Sequence, residues 1–519
     1  MTIKKSRKLG FFAALSMMVG SVVGIGIFFK NATVGSITNH NGYAWLFAWV
    51  IGGLISLFAA INFSEISFLK QTRLNGLANW AYQVGGKKAG YATLFNYTFY
   101  YLGLLSLILS VFVSEIMIWF IEIASGTKLN LPFYVHLIIG LVFLVFFTGL
   151  NFYSIKASGY FALISTVLKF IPLVIALFAG IFFPKTFNDN GSNAFITIST
   201  PEKNNDFSFS GLILALPAVL FAYDSFLSVG SLHNKVDKAK KRVPFIITVG
   251  MILIAIVYTL IGLSSILHNK GTISDLIKDV FPKKAADYVN IFVSFFLLIS
   301  AFGVLNAINA QFINQMKDVI KFNAIFGSFT LKKKMCKLKV TIIYTILTFL
   351  FWALIVFIPS LAVPLPLKDN SGFGFGSDVI IDSMSNFPSL IFFAVYMIII
   401  IVYCKKRKEI SDPNKQINKY FYWISTIFSI ALILIVICAF VYSNLESVIN
   451  KPFENSEAGV FASHSLILTN IGRLLIFIFQ IAVFFSFPII NRFLIKKVDK
   501  IELYDNFEKS KIEQVEQTK

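Results

Sequence analysis

Apolar runs close to or longer than the roughly 20 residues needed to cross a bilayer recur along the whole chain. We count about twelve, at approximately residues 9–29, 42–68, 91–121, 133–150, 157–183, 208–230, 244–267, 287–320, 340–358, 378–403, 420–442 and 466–495. These runs are continuous, whereas the strands of a membrane barrel alternate apolar and polar residues. The sequence, which is 56% hydrophobic, therefore predicts an all-α polytopic membrane protein with about 12 transmembrane helices.

The basic residues behind the net charge of +20 are distributed along the chain in a way that fits the predicted topology. If the N-terminus is cytoplasmic, the basic clusters fall in alternate loops, as at Lys332–Lys334 and Lys405–Lys408, which is the positive-inside pattern. We therefore expect a multi-pass protein of the cell membrane with both termini cytoplasmic, and no nucleic-acid partner. The expected segments are a cytoplasmic N-terminus (1–8), a core of helices 1–10 (9–403), helices 11 and 12 (404–495) and a cytoplasmic tail (496–519).

A glycine-rich stretch, GSVVGIGIF at residues 20–28, interrupts the first apolar run. Gly20, Gly24 and Gly26 allow the helix to unwind, which leaves amide groups without partners. In the hydrocarbon region such backbone is tolerated only where protein buries it or where it lines a cavity. The stretch therefore indicates a binding site, although Gly20 and Gly24 could also form a small-residue packing face.

The sixth run carries a second irregular stretch, LPAVLFAYDSF at residues 216–226. Pro217 removes one helical hydrogen bond, and Asp224 places an ionisable group in the membrane, where such groups are usually functional. The first and sixth runs occupy corresponding places in two halves of five helices. This pattern is typical of transporters built from an inverted repeat, with the substrate site near the bilayer midplane.

These residues resemble the amino acid–polyamine–organocation (APC) superfamily of secondary transporters. The stretch at 20–28 looks like that family's G-S-x-x-G-x-G-I-F motif. Residues 221–226, FAYDSF, followed by KKRVP at 240–244, look like its F-A-F-D-G-F run and the basic segment before helix 7. The resemblance implies a LeuT-like 5+5 inverted repeat with helices 1 and 6 broken.

An amino acid is a zwitterion and needs donors for its carboxylate and acceptors for its ammonium. The N–H groups around Gly24, Ile25 and Gly26 suit the carboxylate, because the start of a helix segment carries partial positive charge. Carbonyls near Phe221 and Ala222 suit the ammonium.

Other residues near the two stretches are compatible with more than one role. Asp224 could contact the substrate, cap the broken helix or pair with a cation, and Phe221 is a candidate gate. Five residues are candidates for the polar wall of the site, although such residues more often make a hydrogen bond between two helices than a ligand contact: Ser21, Asn96, Tyr97, Asn306 and Asn309.

Lys169 lies in the middle of the fifth run, too deep to reach either interface easily. Burial disfavours the charged form of a lysine, which lets such a group exchange protons. The resemblance implies that a lysine here takes the place that sodium occupies in sodium-coupled relatives of the same fold. We therefore expect Lys169 to couple transport to protons. The alternatives are a permanently charged lysine that only bridges helices, or Glu65 as the group that titrates.

Taken together, the sequence predicts a permease that imports amino acids by alternating access, with proton symport as the coupling. An uncoupled amino acid exchanger or a membrane amino acid sensor remains an alternative. The expected partners are an amino acid, protons and the lipid bilayer. We expect no cofactor, no metal and no enzymatic activity, since the chain lacks the GxxxxGK[ST], HExxH and GxSxG motifs.

Overall fold

The computed structural model describes residues 9–24, 26–70, 72–129, 131–183, 194–195, 207–231, 236–362, 376–453, 455–456 and 468–504. Eleven helices among these residues are long and apolar enough to cross a membrane: Gly42–Ile66, Gly76–Ser125, Phe133–Tyr153, Ile155–Phe182, Phe209–Gly230, Ala239–Ile266, Lys283–Lys321, Lys337–Ala362, Val379–Ile410, Lys419–Asn450 and Asn470–Asp499. We number them spans 2 to 12. Span 1 precedes them and consists of three shorter helices, Phe11–Val22, Gly26–Lys30 and Asn31–Ile37.

This helix order confirms the predicted all-helical membrane protein with about twelve spans. Short elements complete the described part of the chain: helices Ile273–Val280 and Ser328–Lys334, a 3-10 turn Pro413–Lys415, and paired two-residue strands Asn455–Ser456 and Leu468–Thr469. Within span 3, Gly86 bends the helix with a φ of 75°, and a wider π-helical stretch runs over Asn96–Leu102. Span 3 thus begins before the predicted residue 91, because the helix starts at Gly76 and continues through this bend.

Span 1 is interrupted at the predicted glycine stretch. Its first helix ends at Val22, and the N–H of Val23 makes the last helical hydrogen bond, to Val19 O at 2.8 Å. Val23 itself is extended, with φ −73° and ψ 111°. The chain becomes helical again at Gly26, in a π-helical turn. The predicted break in span 1 is therefore present.

Span 6 is also interrupted, but at Asp224 rather than at its proline. The helix Phe209–Tyr223 continues through Pro217 and ends where Asp224 becomes extended, with φ −67° and ψ 175°. Ser225 follows in the left-handed region, with φ 67°. A last helical turn then runs over Ser228–Ser231. The break thus lies inside the predicted stretch, seven residues beyond the proline that suggested it.

The two interrupted spans lie at the centre of the helix bundle. The most apolar window of span 6 is 89% buried by protein, whereas that of span 12 is 22% buried. Span 1 packs against spans 5, 7 and 8, and span 6 packs against spans 2, 10 and 11. Spans 4 and 12 face outward, where the bilayer would cover them. The fold therefore surrounds both breaks with protein on all sides.

An ion pair fastens the last turn of span 2 to the end of span 10. The Arg407 guanidinium donates to both carboxylate oxygens of Glu65, at 2.6 and 3.0 Å. Glu65 also accepts from the Tyr403 hydroxyl at 2.7 Å and from the Ile417 N–H at 2.8 Å, and it is 2% exposed. Removing one partner of such a buried pair leaves the other charge without compensation.

We therefore predict that Arg407→Ala destabilises the fold by about 3 kcal/mol. The neighbouring Lys408 is exposed, so Lys408→Ala serves as the matched control and should have almost no effect. The measurement is the thermal unfolding midpoint of both variants in detergent. Equal midpoints for the two variants would contradict a structural role for the ion pair.

Candidate functional site

The breaks in spans 1 and 6 face each other directly. A Cβ atom at Gly26 would lie 2.5 Å from the Cα of Ala222, so only glycine allows the two backbones to come this close. The Ser21 hydroxyl lies 2.8 Å from the Ser228 hydroxyl and 3.5 Å from the Ser225 carbonyl. The two interrupted helices therefore share one site rather than forming two separate irregularities.

A small cavity of about 30 Å³ lies where the breaks meet. Its walls come from spans 1, 3, 6, 8 and 10: Ser21, Val22, Gly26, Tyr101, Leu105, Leu109, Phe221, Asp224, Ser225, Val304, Ile308 and Ser389. This volume holds only about two water molecules. A larger ligand therefore requires the walls to move apart, and the structure represents a closed conformation of the site.

Most of the predicted site residues lie at this cavity. Ser21, Gly26, Phe221 and Asp224 line it. Gly24 lies against span 8, where a Cβ would come within 2.2 Å of Val304, and Ala222 packs on Gly26 as described above. Ile25, which was also predicted to contact the substrate, lies outside the described residues.

Lys169 reaches the end of the first helix of span 1. Its ammonium donates to the carbonyls of Gly20 at 3.0 Å and Val23 at 2.6 Å, and the side chain is fully buried. The Tyr258 hydroxyl donates to the next freed carbonyl, that of Val22, at 2.9 Å. No carboxylate forms an ion pair with Lys169 in the described part of the chain. The partial negative charge at the end of the helix is therefore its main electrostatic partner.

Asp224 caps the break in span 6 and also faces the cavity. Its carboxylate accepts from the Ser225 N–H at 2.7 Å and from the Tyr101 hydroxyl at 2.6 Å. The Tyr396 hydroxyl lies 3.5 Å away. Among the described residues no cation pairs with Asp224, so the capping role is the one seen in this conformation.

An ion pair that sequence reasoning missed lies beyond Phe221. Lys30, at the end of the π-helical turn of span 1, donates to the Asp382 carboxylate of span 10 at 2.6 Å. Both side chains are less than a tenth exposed. The Lys30 ammonium also lies 5.3 Å from the centre of the Phe221 ring. The Phe221 residue therefore both lines the cavity and lies near this ion pair, and its role as a gate stays a prediction.

The other candidates for the polar wall join helices instead of lining the cavity. Their hydrogen bonds run between spans: Asn96 donates to the Phe484 carbonyl, Tyr97 to Gln311, Asn306 to the Ser158 carbonyl, and Thr148 to Asn309. The cavity walls contributed by spans 3, 8 and 10 were missed, because nothing in those apolar runs marks which face turns inward. No group of three or more His, Cys, Asp or Glu residues in the described part could hold a metal ion.

The chain matches a known protein family over most of its length. The sequence profile of the family described as amino acid permease matches residues 9–456. The serine/threonine exchanger SteT of Bacillus subtilis (strain 168) is 24% identical over 266 residues, covering 50% of this chain and 55% of that protein. The human cystine/glutamate transporter is 23% identical over 321 residues, 59% of each chain.

A third relative, the aspartate-proton symporter of Bacillus subtilis (strain 168), is 22% identical over 267 residues, 50% of this chain and 49% of that protein. Each of the three is named as a transport protein and none as an enzyme. The chain spans about half the length of the curated relatives it matches.

We predict that Gly26→Ala destabilises the fold by about 1–3 kcal/mol, because the added methyl group would overlap the backbone of Ala222. Gly149, in span 4, has open space around its Cβ position and is the matched control. Gly149→Ala should be neutral or slightly stabilising, since alanine is the better helix former. Thermal unfolding of both variants tests this, and a Gly26→Ala protein as stable as Gly149→Ala would argue against the close approach.

Proposed function

Because the chain belongs to the amino acid permease family, we propose that it carries amino acids across the membrane by alternating access, coupled to protons. Three things support the proposal: the family, the closed cavity between two broken helices, and a buried lysine at one of the breaks. We further propose that it works in the cell membrane with both termini cytoplasmic, which the distribution of basic residues favours.

The breaks supply both kinds of group that a zwitterion needs. The start of the second part of span 1, at Gly24 to Gly26, offers N–H groups to the substrate carboxylate. The end of the first part of span 6, at Phe221 and Ala222, offers carbonyl oxygens to the ammonium. Among the described residues the Phe221 carbonyl accepts one long hydrogen bond, from the Asp224 N–H at 3.3 Å, and so can take a second donor. The Asp224 carboxyl group adds further acceptor oxygens on the same side.

Opening of the site requires contacts on one side of the cavity to separate while those on the other side hold. The Lys30–Asp382 ion pair closes one side, and the Glu65–Arg407 ion pair joins helix ends on the opposite side. Span 10 carries one member of each pair. A tilt of this helix relative to spans 1 and 2 would therefore open the two sides in alternation.

Proton coupling is assigned to Lys169 because its ammonium makes hydrogen bonds to the end of the first helix of span 1. While it is protonated, it donates to two carbonyls at the end of the first helix of span 1. Loss of the proton replaces charge-assisted hydrogen bonds with weaker neutral ones and releases that helix end. The protonation state would thus bias the position of one wall of the cavity.

The alternative is an exchanger without ion coupling, which the name of one relative favours. In that case Lys169 stays charged throughout and only fixes the helix end. Both functions share the same cavity, so a measurement of coupling has to separate them.

We predict that wild-type protein in proteoliposomes concentrates an amino acid when an inward proton gradient is imposed, and that Lys169→Gln loses this accumulation at least tenfold. Lys156, on the same helix but exposed, gives the control Lys156→Gln, which should accumulate like wild type. Exchange of labelled for unlabelled amino acid should persist in Lys169→Gln. Gradient-independent exchange by the wild type would favour the uncoupled exchanger, and absence of any amino acid flux would contradict the proposed transport function.

A further inference from the structure

Ser389 carries a hydroxyl group that the fold leaves without a partner. The residue lies on span 10, is 1% exposed and lines the cavity. Among the described residues its Oγ makes no hydrogen bond. A buried polar group in this state costs free energy, and such groups in native proteins usually have a reason.

Other helical serines in this protein show that a helix does not by itself leave a serine hydroxyl without a hydrogen bond. Serine in a helix commonly donates back to a carbonyl three or four residues earlier. Ser385 on the same span does so, to Asp382 O at 2.6 Å, and Ser360 on span 9 does so, to Val356 O at 2.7 Å. Ser389 instead turns toward the cavity, which Asp224 also lines, and its Oγ is in normal hydrogen-bond geometry with no described residue.

The rest of the side-chain end of the cavity is apolar. If the charged head of an amino acid is held at the two breaks, the walls left for its side chain are those of spans 3, 8 and 10. Leu105, Leu109, Val304 and Ile308 form the walls there. Branched residues on both sides leave little room for a long substrate side chain. Because the closed cavity has a volume of only about 30 Å³, a small side chain requires the smallest movement of its walls.

We propose that this end of the cavity selects amino acids with a small hydroxyl side chain, and that Ser389 is the residue that recognises the hydroxyl. The substrate hydroxyl donates to the Asp224 carboxylate and accepts from Ser389 Oγ. The hydroxyl groups of the substrate and of Ser389 then both have hydrogen-bond partners. The methyl group of threonine would contact the apolar wall. This inference rests on the proposed amino acid transport and adds the substrate class to it.

The test compares pairs of amino acids that differ mainly in the hydroxyl: threonine with valine, and serine with alanine. Inhibition constants are measured against uptake of a labelled amino acid in proteoliposomes. We expect wild type to favour the hydroxyl member of each pair by about tenfold or more, because a hydrogen bond to a charged group is lost otherwise. In Ser389→Ala both ratios should fall toward one. In Ser389→Thr, which keeps the hydroxyl, the preference should return.

Ser385→Ala is the matched control, since that hydroxyl is satisfied by its own helix, and it should keep the wild-type ratios. Should Ser389→Ala fail to fold, Ser389→Cys replaces the hydroxyl with a thiol of similar size that is a much weaker hydrogen-bond donor. Transport of amino acids with no hydroxyl preference, or ratios unchanged in Ser389→Ala, would overturn the inference and leave the proposed function intact. Absence of transport for every amino acid would instead overturn the proposed function.

Discussion

Backbone groups in the middle of a bilayer cannot turn to water, and the whole centre of this protein follows from that constraint. Two helices stop in the membrane, and other spans supply the partners that their freed groups need. Lys169 of span 5 and Tyr258 of span 7 donate to carbonyls at the end of the first helix of span 1. The side chain of Asp224 accepts the N–H of Ser225 at the break in span 6. These hydrogen bonds fix the position of the chain at both breaks, and a small cavity lies between the breaks.

The same arrangement leaves the site closed in this structure. Gly26 allows the backbones at the two breaks to come into contact, and the cavity between them has a volume of about 30 Å³. Buried ion pairs fasten span 10 to span 1 through Lys30 and to span 2 through Glu65. The alternating access proposed above requires such contacts to separate on one side of the cavity while those on the other side hold.

Much of this could be predicted from the sequence, because membrane spans and their breaks leave a local signal. The twelve spans follow from apolar length, and the breaks are indicated by the glycines of span 1 and by Pro217 and Asp224 in span 6, although the helix continues through the proline. Tyr101, Ser389 and Asp382 could not be predicted as part of the site. Each lies in an apolar run without a break, and only packing against neighbouring helices decides which face of such a helix turns inward. The internal inverted repeat stays a prediction, as do the substrate contacts.

The central claim is that the two facing breaks bind both charged ends of a small zwitterion. The most direct test is the thermal stability of the purified protein with serine or threonine, compared with the matching amine that lacks the carboxylate and the matching acid that lacks the ammonium. A ligand that binds the folded state raises its stability. The account predicts that an amino acid raises the unfolding midpoint while the amine and the acid at the same concentration do not. Equal stabilisation by the amine or the acid, or none by any of the twenty amino acids, would contradict it.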